Sequence, residues 1–339
     1  MKLGLGVCAR DEGATVTETL ASLLVALNRV REAADWSIIV CVNGSSDDTA
    51  SLAEKWIRAQ SNPSISLRIL EEANLVEAQR LIARCHSDAG ADVIGFFDAD
   101  IVVHRDCILT LLRAMFDPKV QVAYATSVPF KSSKGSLVRR ILDQYDRDEI
   151  VFSQRVHLHG RAFLIKEWHI PRTSPPLLAD DIYLSCHMLS RHGAESIVKC
   201  EAARVYFHQL TTVGDFYSAY RRRQLEFSKC LRLFPQFVSL PREYLNRNVN
   251  LRGLLSEPPQ ALTLWMTFFL LRLGFRIRLS LEILGGGARP AWRITKSSKK
   301  PFGLPAAVFE PIHPRTRVAE SETPARGKLE SSTNGERAG

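Results

Sequence analysis

The stretch Asp92-Val93-Ile94-Gly95-Phe96-Phe97-Asp98-Ala99-Asp100 runs apolar and aromatic, then ends in two carboxylates one residue apart. Such a run suits a strand buried on both faces, as in a parallel sheet. Ligands of these sheets collect beyond the carboxyl ends of the strands. Two carboxylates held there can share a hard divalent cation through oxygen, and that cation can hold a diphosphate. Three other polar stretches punctuate apolar segments: Cys8-Ala9-Arg10-Asp11-Glu12, Val42-Asn43-Gly44-Ser45-Ser46-Asp47-Asp48-Thr49, and Asp180-Asp181. Each has a plainer reading too. Asp98 and Asp100 can simply begin a polar loop, Asp47 can cap a helix, and Asp180-Asp181 can complement a helix dipole in its first turn.

Apolar periodicity supplies the elements that must position these residues. It predicts strands over Leu3–Cys8, Trp36–Val42, Ser64–Leu70 and Val93–Phe97. Helices are predicted over Thr15–Ala33, from Asp47 or Asp48 to Gln60, and over Leu75–Ala89. Strands alternating with helices imply an α/β, doubly wound and mostly parallel sheet, with the polar stretches on its loops. Further on, the pattern predicts helices Arg105–Phe116 and Leu137–Phe152, strands Val120–Thr126 and Gly160–Lys166, and a helix opening at Asp180-Asp181. A strand over Ser196–Phe207 and a basic helix over Phe216–Phe234 follow.

We expect three regions: a catalytic domain over 1–235, a helical segment over 236–295, and a disordered tail from 296 that is rich in Ser, Pro, Gly and charge. Within the second, Leu262–Leu284 mixes Trp265, Phe268 and Phe269 with Arg272, Arg276 and Arg278. That composition suits a helix lying in an anionic membrane interface, or one packed on the catalytic domain.

The bulk numbers discriminate less. A net charge of +9 over 339 residues admits anionic substrates, phospholipid surfaces or nucleic acid. Seven widely spaced cysteines, none in a Cys-x-x-Cys pair, argue against a disulfide framework or a zinc cluster and fit a reducing, cytoplasmic setting. Met1–Cys8 leads straight into charged residues without the apolar core of a signal peptide. The apolar run Ala261–Leu271 meets Arg272 well before the roughly 20 residues that a straight membrane span requires.

Taken in order, the four polar stretches resemble the family 2 glycosyltransferases of GT-A fold, over Lys2 to Phe234. The resemblance implies an inverting transfer from a nucleotide-diphosphate sugar to a saccharide or lipid-linked acceptor, supported by Mg2+ or Mn2+. Asp11 and Glu12 stand at the first-loop acid pair, and Asp47 at the last acid of the second-loop motif. Val42 and Asn43 replace the two aspartates that usually precede it near the base or ribose. Asp98 and Asp100 match the metal and donor motif. Asp180-Asp181 stands at the Glu-Asp pair whose second member is the base, here Asp181. His208 falls where some relatives complete the metal shell, although a lone histidine at a strand end is more often a packed or hydrogen-bonded residue. Arg222 and Arg223 lie where processive members carry Gln-x-x-Arg-Trp and imply a diphosphate clamp. His159-Gly160-Arg161 resembles the glycine-containing segment beside the acceptor.

Two alternatives remain at this level. A sugar-phosphate nucleotidyltransferase shares the scaffold, but normally has a glycine-rich basic loop where this chain has Ala9-Arg10-Asp11-Glu12-Gly13. A non-catalytic protein binding nucleic acid or membrane would rest on the basic helix and tail, with steeply salt-dependent affinity.

Overall fold

Strand β1 (Lys2–Ala9) alternates large residues with small ones, and each face has its own partner. Leu3, Leu5 and Val7 are fully buried in one layer. Gly4 and Gly6 face the other way, where a Cβ would stand 2.3 Å from the His86 ring and 2.5 Å from Ile82. The two glycines let helix α3 (Leu75–Asp88) lie directly on the strand, a closeness that side chains would prevent.

This computed structural model describes the chain apart from residues 31, 131–135, 147–150, 152–155, 241–243, 245–248, 287–298 and 304–339. β1 is joined by β2 (Asp35–Asn43), β3 (Ile65–Leu70), β4 (Val93–Asp98), β5 (Ile101–Val103), β6 (Val122–Pro129), β7 (Ala162–Ile165) and β8 (Ile197–Phe207). Their order across the sheet is β3-β2-β1-β4-β7-β6-β8-β5. β3, β2, β1 and β4 are mutually parallel, as the alternation of elements predicts. β7 runs antiparallel to β4 and β6, so its beginning lies beside the end of β4. β5 was not expected. It is three residues long and pairs antiparallel with β8, too short for periodicity to betray it.

Helices cover both faces, the doubly wound arrangement. One apolar layer packs β1 and β4 against α1 (Val16–Asn28), α2 (Thr49–Gln60) and α4 (Cys107–Met115). The other packs the sheet against α3, α6 (Asp180–His192) and α7 (Val213–Leu233). Cys41, Cys107, Cys186, Cys200 and Cys230 are buried, as expected of core residues, whereas Cys8 and Cys85 are half-buried.

A third cluster joins α5 (Leu137–Asp146), α7 and α9 (Pro259–Leu284), with short helix α8 (Leu251–Leu255) against it. Here the structure corrects one expectation: Trp265 and Phe268 do not face a membrane. They are 1% and 4% exposed, stacked with Tyr145, Phe216 and Phe269. Apolar burial against α5 and α7 wins over any interfacial use of those rings. Residues 299–303, within the tail, lie against the sheet's carboxyl edge. Phe302 there is 5% exposed. Among the described residues, no helix is long and apolar enough to cross a membrane.

Candidate active site

β1, β2 and β4 end on one edge of the sheet, and β7 begins there. The Asp98 amide donates to the Arg161 carbonyl at 2.8 Å, which fixes the start of β7 beside the tip of β4. An open cleft of about 890 Å³ lies over this edge. Glu12, Asn43, Asp98, Asp100, Asp180, Asp181, His208, Arg222 and Arg223 all line it, so one cavity gathers most of the residues singled out by sequence.

The loop carrying Asp98 and Asp100 is held from below by α1. The Thr15 hydroxyl lies 2.9 Å from the Ala99 carbonyl and 3.0 Å from a Glu12 carboxylate oxygen. The Thr19 hydroxyl lies 2.9 Å from the Ala99 carbonyl and 2.7 Å from that of Ile101. Each hydroxyl has a single proton and serves one acceptor at a time. The Ser22 hydroxyl accepts from the Val103 amide at 3.0 Å. All three hydroxyl residues are fully buried. They recur along one face of an otherwise apolar helix, a signal that the sequence carries and that pattern reading passed over.

Asp11 and Asp47 spend their carboxylates on the loops themselves and do not line the cleft. Asp11, at φ +52°, accepts from the Ser46 amide at 2.6 Å and the Ser46 hydroxyl at 3.0 Å, while its own amide donates to the Ser45 hydroxyl. Asp47 accepts from the Gly13 amide at 3.0 Å and from the Thr49 amide and hydroxyl. Burial pushes Asp47 up, but these hydrogen bonds outweigh it and hold the carboxyl below its ordinary range. Together the two acids bind the first loop to the second. The amide of Glu12, a residue 6% exposed, donates to the Thr49 hydroxyl at 2.7 Å, and its carboxylate turns toward the cleft.

Negative charge is concentrated at the tip of β4 and the start of α6. Burial raises Asp98 well above the usual carboxylate range; Asp100 adds to it, Arg161 opposes, and Asp180 and Asp181 push up again. Asp100 is raised for the same first reason, against the pull of Arg161, Arg222 and His208. Its side chain keeps 26% of its surface open, so the surrounding protein rather than full enclosure supplies that burial. Asp180 is 5% exposed, accepts from the Gln79 amide group at 2.6 Å, and is pushed to about 6 by burial and by Asp181. Asp181, its neighbour on α6, opens to the cleft. Gly160 faces it: a Cβ there would sit 3.4 Å from the Asp181 Cβ.

Positive charge answers from two sides. Arg161, on the segment before β7, lies with its guanidinium 3.7 Å from the centre of the Phe207 ring and faces both Asp98 and Asp100. On α7 the three successive arginines point three ways, as helical geometry requires. Arg221 bonds Glu282 of α9 at 2.7 Å, Arg222 faces Asp181, Asp98 and Asp100, and Arg223 meets His157 Nε2 at 3.3 Å. Arg272 enters from α9 over the Tyr220 ring.

His208 follows β8 at the same edge. Its imidazole stacks on Phe302 at 4.3 Å and meets Phe130 edge-on, and its Nε2 is buried without a hydrogen-bond partner. Burial lowers its pKa, against a hydrogen bond to the Pro301 backbone. Lys299 reaches the acids from the same tail segment, paired with Glu12 and 3.7 Å from Asp100. Among the described residues no three His, Cys, Asp or Glu side chains form a ready metal shell. Sequence reading named Arg161 only as part of the glycine-containing segment and gave no role to Gln79 or Lys299. Gln79 stands out only as a buried polar residue on an apolar helix face, and Lys299 is 287 positions from Glu12 and 199 from Asp100.

The sequence model described as Glycosyl transferase family 2 matches residues 5–171. No curated protein matches the chain. Among solved structures, glucosyl-3-phosphoglycerate synthase from Mycobacterium tuberculosis, in complex with Mn2+, UDP-glucose and phosphoglyceric acid, superimposes with a TM-score of 0.47 at 16% identity, over 68% of this chain and 79% of that one. A mannosyltransferase from Pyrobaculum calidifontis, in complex with GDP-mannose and Mn2+, does so with a TM-score of 0.49 at 15% identity, over 85% of each chain.

Proposed function

We propose that this chain, which belongs to glycosyl transferase family 2 through residues 5–171, is an inverting transferase that moves a sugar from a nucleotide-diphosphate donor to a saccharide, free or lipid-linked. The observation that carries the reading is the cleft in which Asp98, Asp100 and Asp181 face Arg222. Acids that repel one another beside a guanidinium suit a ligand combining a cation with phosphates.

Asp98 and Asp100 fit a hard divalent cation, Mg2+ or Mn2+, because both are oxygen donors and their mutual repulsion is relieved by positive charge. Such ions are commonly held by one or two carboxylates plus substrate phosphates, so a full protein shell is not required. The partnerless Nε2 of His208 is a third donor at the same edge. When bound, the ion supplies Lewis-acid support to the departing nucleoside diphosphate. Arg222 and Arg223 carry fixed positive charge to the diphosphate, and Glu12 and Asn43 line the nucleotide end of the cleft.

Asp181 is the general base. It takes the proton of the acceptor hydroxyl as that oxygen attacks the anomeric carbon from the face opposite the leaving group, which inverts the configuration. A carboxylate is basic enough because the proton acidifies only as the bond forms. Asp180 is a positioning residue: its carboxylate is committed to Gln79 and sets the first turn of α6 on which Asp181 rides. The test is a panel of nucleotide sugars with and without Mn2+, with product configuration read by NMR. Transfer of one donor's sugar with inversion supports the reading; retention, or nucleotidyl transfer to a sugar phosphate, overturns it.

The partner surface belongs to the same proposal. Met266, Leu270, Leu273, Ile277, Leu281 and Leu284 are exposed along α9 at helical spacing, opposite the buried Trp265, Phe268, Phe275 and Leu279. Arg276 and Arg278 flank the stripe. Glu282, the only acid of α9, is bonded to Tyr217, Arg221 and Arg278, so the helix keeps a net positive charge that a second copy would only repeat, whereas anionic headgroups complement it. We propose on this basis a cytoplasmic enzyme that meets the inner membrane face through the side of α9 away from its aromatic core. Co-sedimentation with anionic vesicles should be lost in Leu273→Glu/Ile277→Glu; undiminished pelleting removes the membrane surface.

A further inference from the structure

Residues 299–303 touch the candidate metal site twice, through unrelated chemistry. Lys299 places its ammonium against Glu12 and 3.7 Å from Asp100, among carboxylates that otherwise repel one another. Three residues on, Phe302 covers the His208 imidazole at a ring separation of 4.3 Å and an interplanar angle of 19°, with Phe130 edge-on at 5.5 Å. Between them the Pro301 backbone bonds the same imidazole.

The segment has its own anchor away from the acids. The Phe302 and Gly303 amides donate to the two carboxylate oxygens of Glu18, at 2.6 and 3.0 Å. Gly303 sits at φ +59°, a left-handed conformation that glycine adopts freely and that lets two successive amides share one carboxylate. Glu18 lies in the first turn of α1, where its charge is favourable, on the helix that also holds the Asp98–Asp100 loop. A buried aromatic ring and a carboxylate accepting two amides make a built seat.

We propose that residues 299–303 form a strap that competes with the divalent cation: Lys299 occupies the cation's place on Asp100 while Phe302 covers the His208 ring. This rests on the metal site proposed above and adds its regulation. The strap is part of the chain, so its effective concentration at the site is high, and metal binds at an affinity reduced by the fraction of molecules in which the strap is seated. Binding of cation and donor together lifts the segment, and weakening its seat primes the site. An ammonium and a divalent ion cannot share these carboxylates at close range without mutual repulsion, which makes the exchange close to all-or-none.

The test is Mn2+ titration of the full-length protein by calorimetry without nucleotide, comparing wild type with Lys299→Ala, Phe302→Ala and Asp100→Asn. Lys299→Ala and Phe302→Ala should each tighten Mn2+ binding, by roughly tenfold if the strap is seated in about nine molecules of ten. Phe302→Ala leaves every charge in place, so its gain reports the strap rather than the loss of a nearby positive charge. Affinity unchanged or weakened in Phe302→Ala, with binding still abolished in Asp100→Asn, overturns the strap and leaves the metal site standing. Mn2+ binding that Asp100→Asn does not diminish overturns both.

Discussion

Asp98 and Asp100 hang from the tip of a central strand whose loop is bonded to α1, whereas Arg222, Arg223 and Arg272 reach the same cleft from helices α7 and α9. The acidic wall is continuous with the sheet and its hydroxyl supports are fully buried. The basic wall stands on the third apolar cluster, and Lys299 reaches it from a tail segment anchored by two amides and one ring. The difference suggests a division of labour. On the proposed function, one wall would fix where charge develops and the other would supply the counter-charge.

The sharpest way to break this contrast is at the rigid wall. Asp100→Asn should abolish turnover while leaving the circular dichroism spectrum and cooperative melting intact, and Asp98→Asn should be nearly as damaging. Near wild-type transfer by Asp100→Asn would show that the acidic wall does not carry the chemistry.

Next in size is Asp181→Asn. It should lower turnover by roughly two to four orders of magnitude, the usual worth of a general base, with donor affinity retained. Calorimetry beside rate measurement separates the two quantities. Lost donor affinity would move Asp181 from base to donor binding.

Thr19→Val tests whether the wall's rigidity comes from α1. The substitution keeps the volume but leaves the buried Ile101 carbonyl without its hydroxyl, at a cost of about 1–3 kcal/mol by denaturant melting. Turnover should fall with it while Lys299 and α9 are untouched. A stability loss with unchanged turnover would separate the fold from the placement of the acids.

The smallest effect is a pH dependence. The folded pKa of Asp180, about 6, lies above its ordinary value, so its contribution to stability is fully present below the ordinary value and is lost as pH rises through about 6. Asp180→Asn removes that cost while its side-chain oxygen can still accept from Gln79. The variant should therefore melt higher than wild type at neutral pH, by on the order of 2 kcal/mol, with an advantage that shrinks on acidification. An advantage that grows with acid would reverse the sign and discard the assignment.

The same division explains what was legible in the sequence. β1, β2 and β4 and their loops are local patterns, so apolar alternation ending in Asp98-Ala99-Asp100 and the helix head at Asp180-Asp181 could be read directly. Long-range geometry could not. Whether Trp265 faces lipid or the core depends on α5 and α7, more than 30 residues away in sequence, and composition is the same in both cases. The fate of Lys299 depends on Glu18 and His208 holding Phe302, a contact with no sequence signature. Asp11 and Asp47 were readable as acids beside a site, but only the hydrogen bonds to Ser46 and Gly13 show that they bind loop to loop.

The central claim is that Asp98 and Asp100 join a divalent cation to the diphosphate of a nucleotide sugar. Calorimetric titration of UDP- and GDP-sugars into wild type, with Mn2+ and then with a chelator, tests it most directly. One donor should bind with Mn2+ and lose most of its affinity in the chelator, and Asp100→Asn should behave with Mn2+ as wild type does without it. Equal donor affinity under both conditions would contradict it.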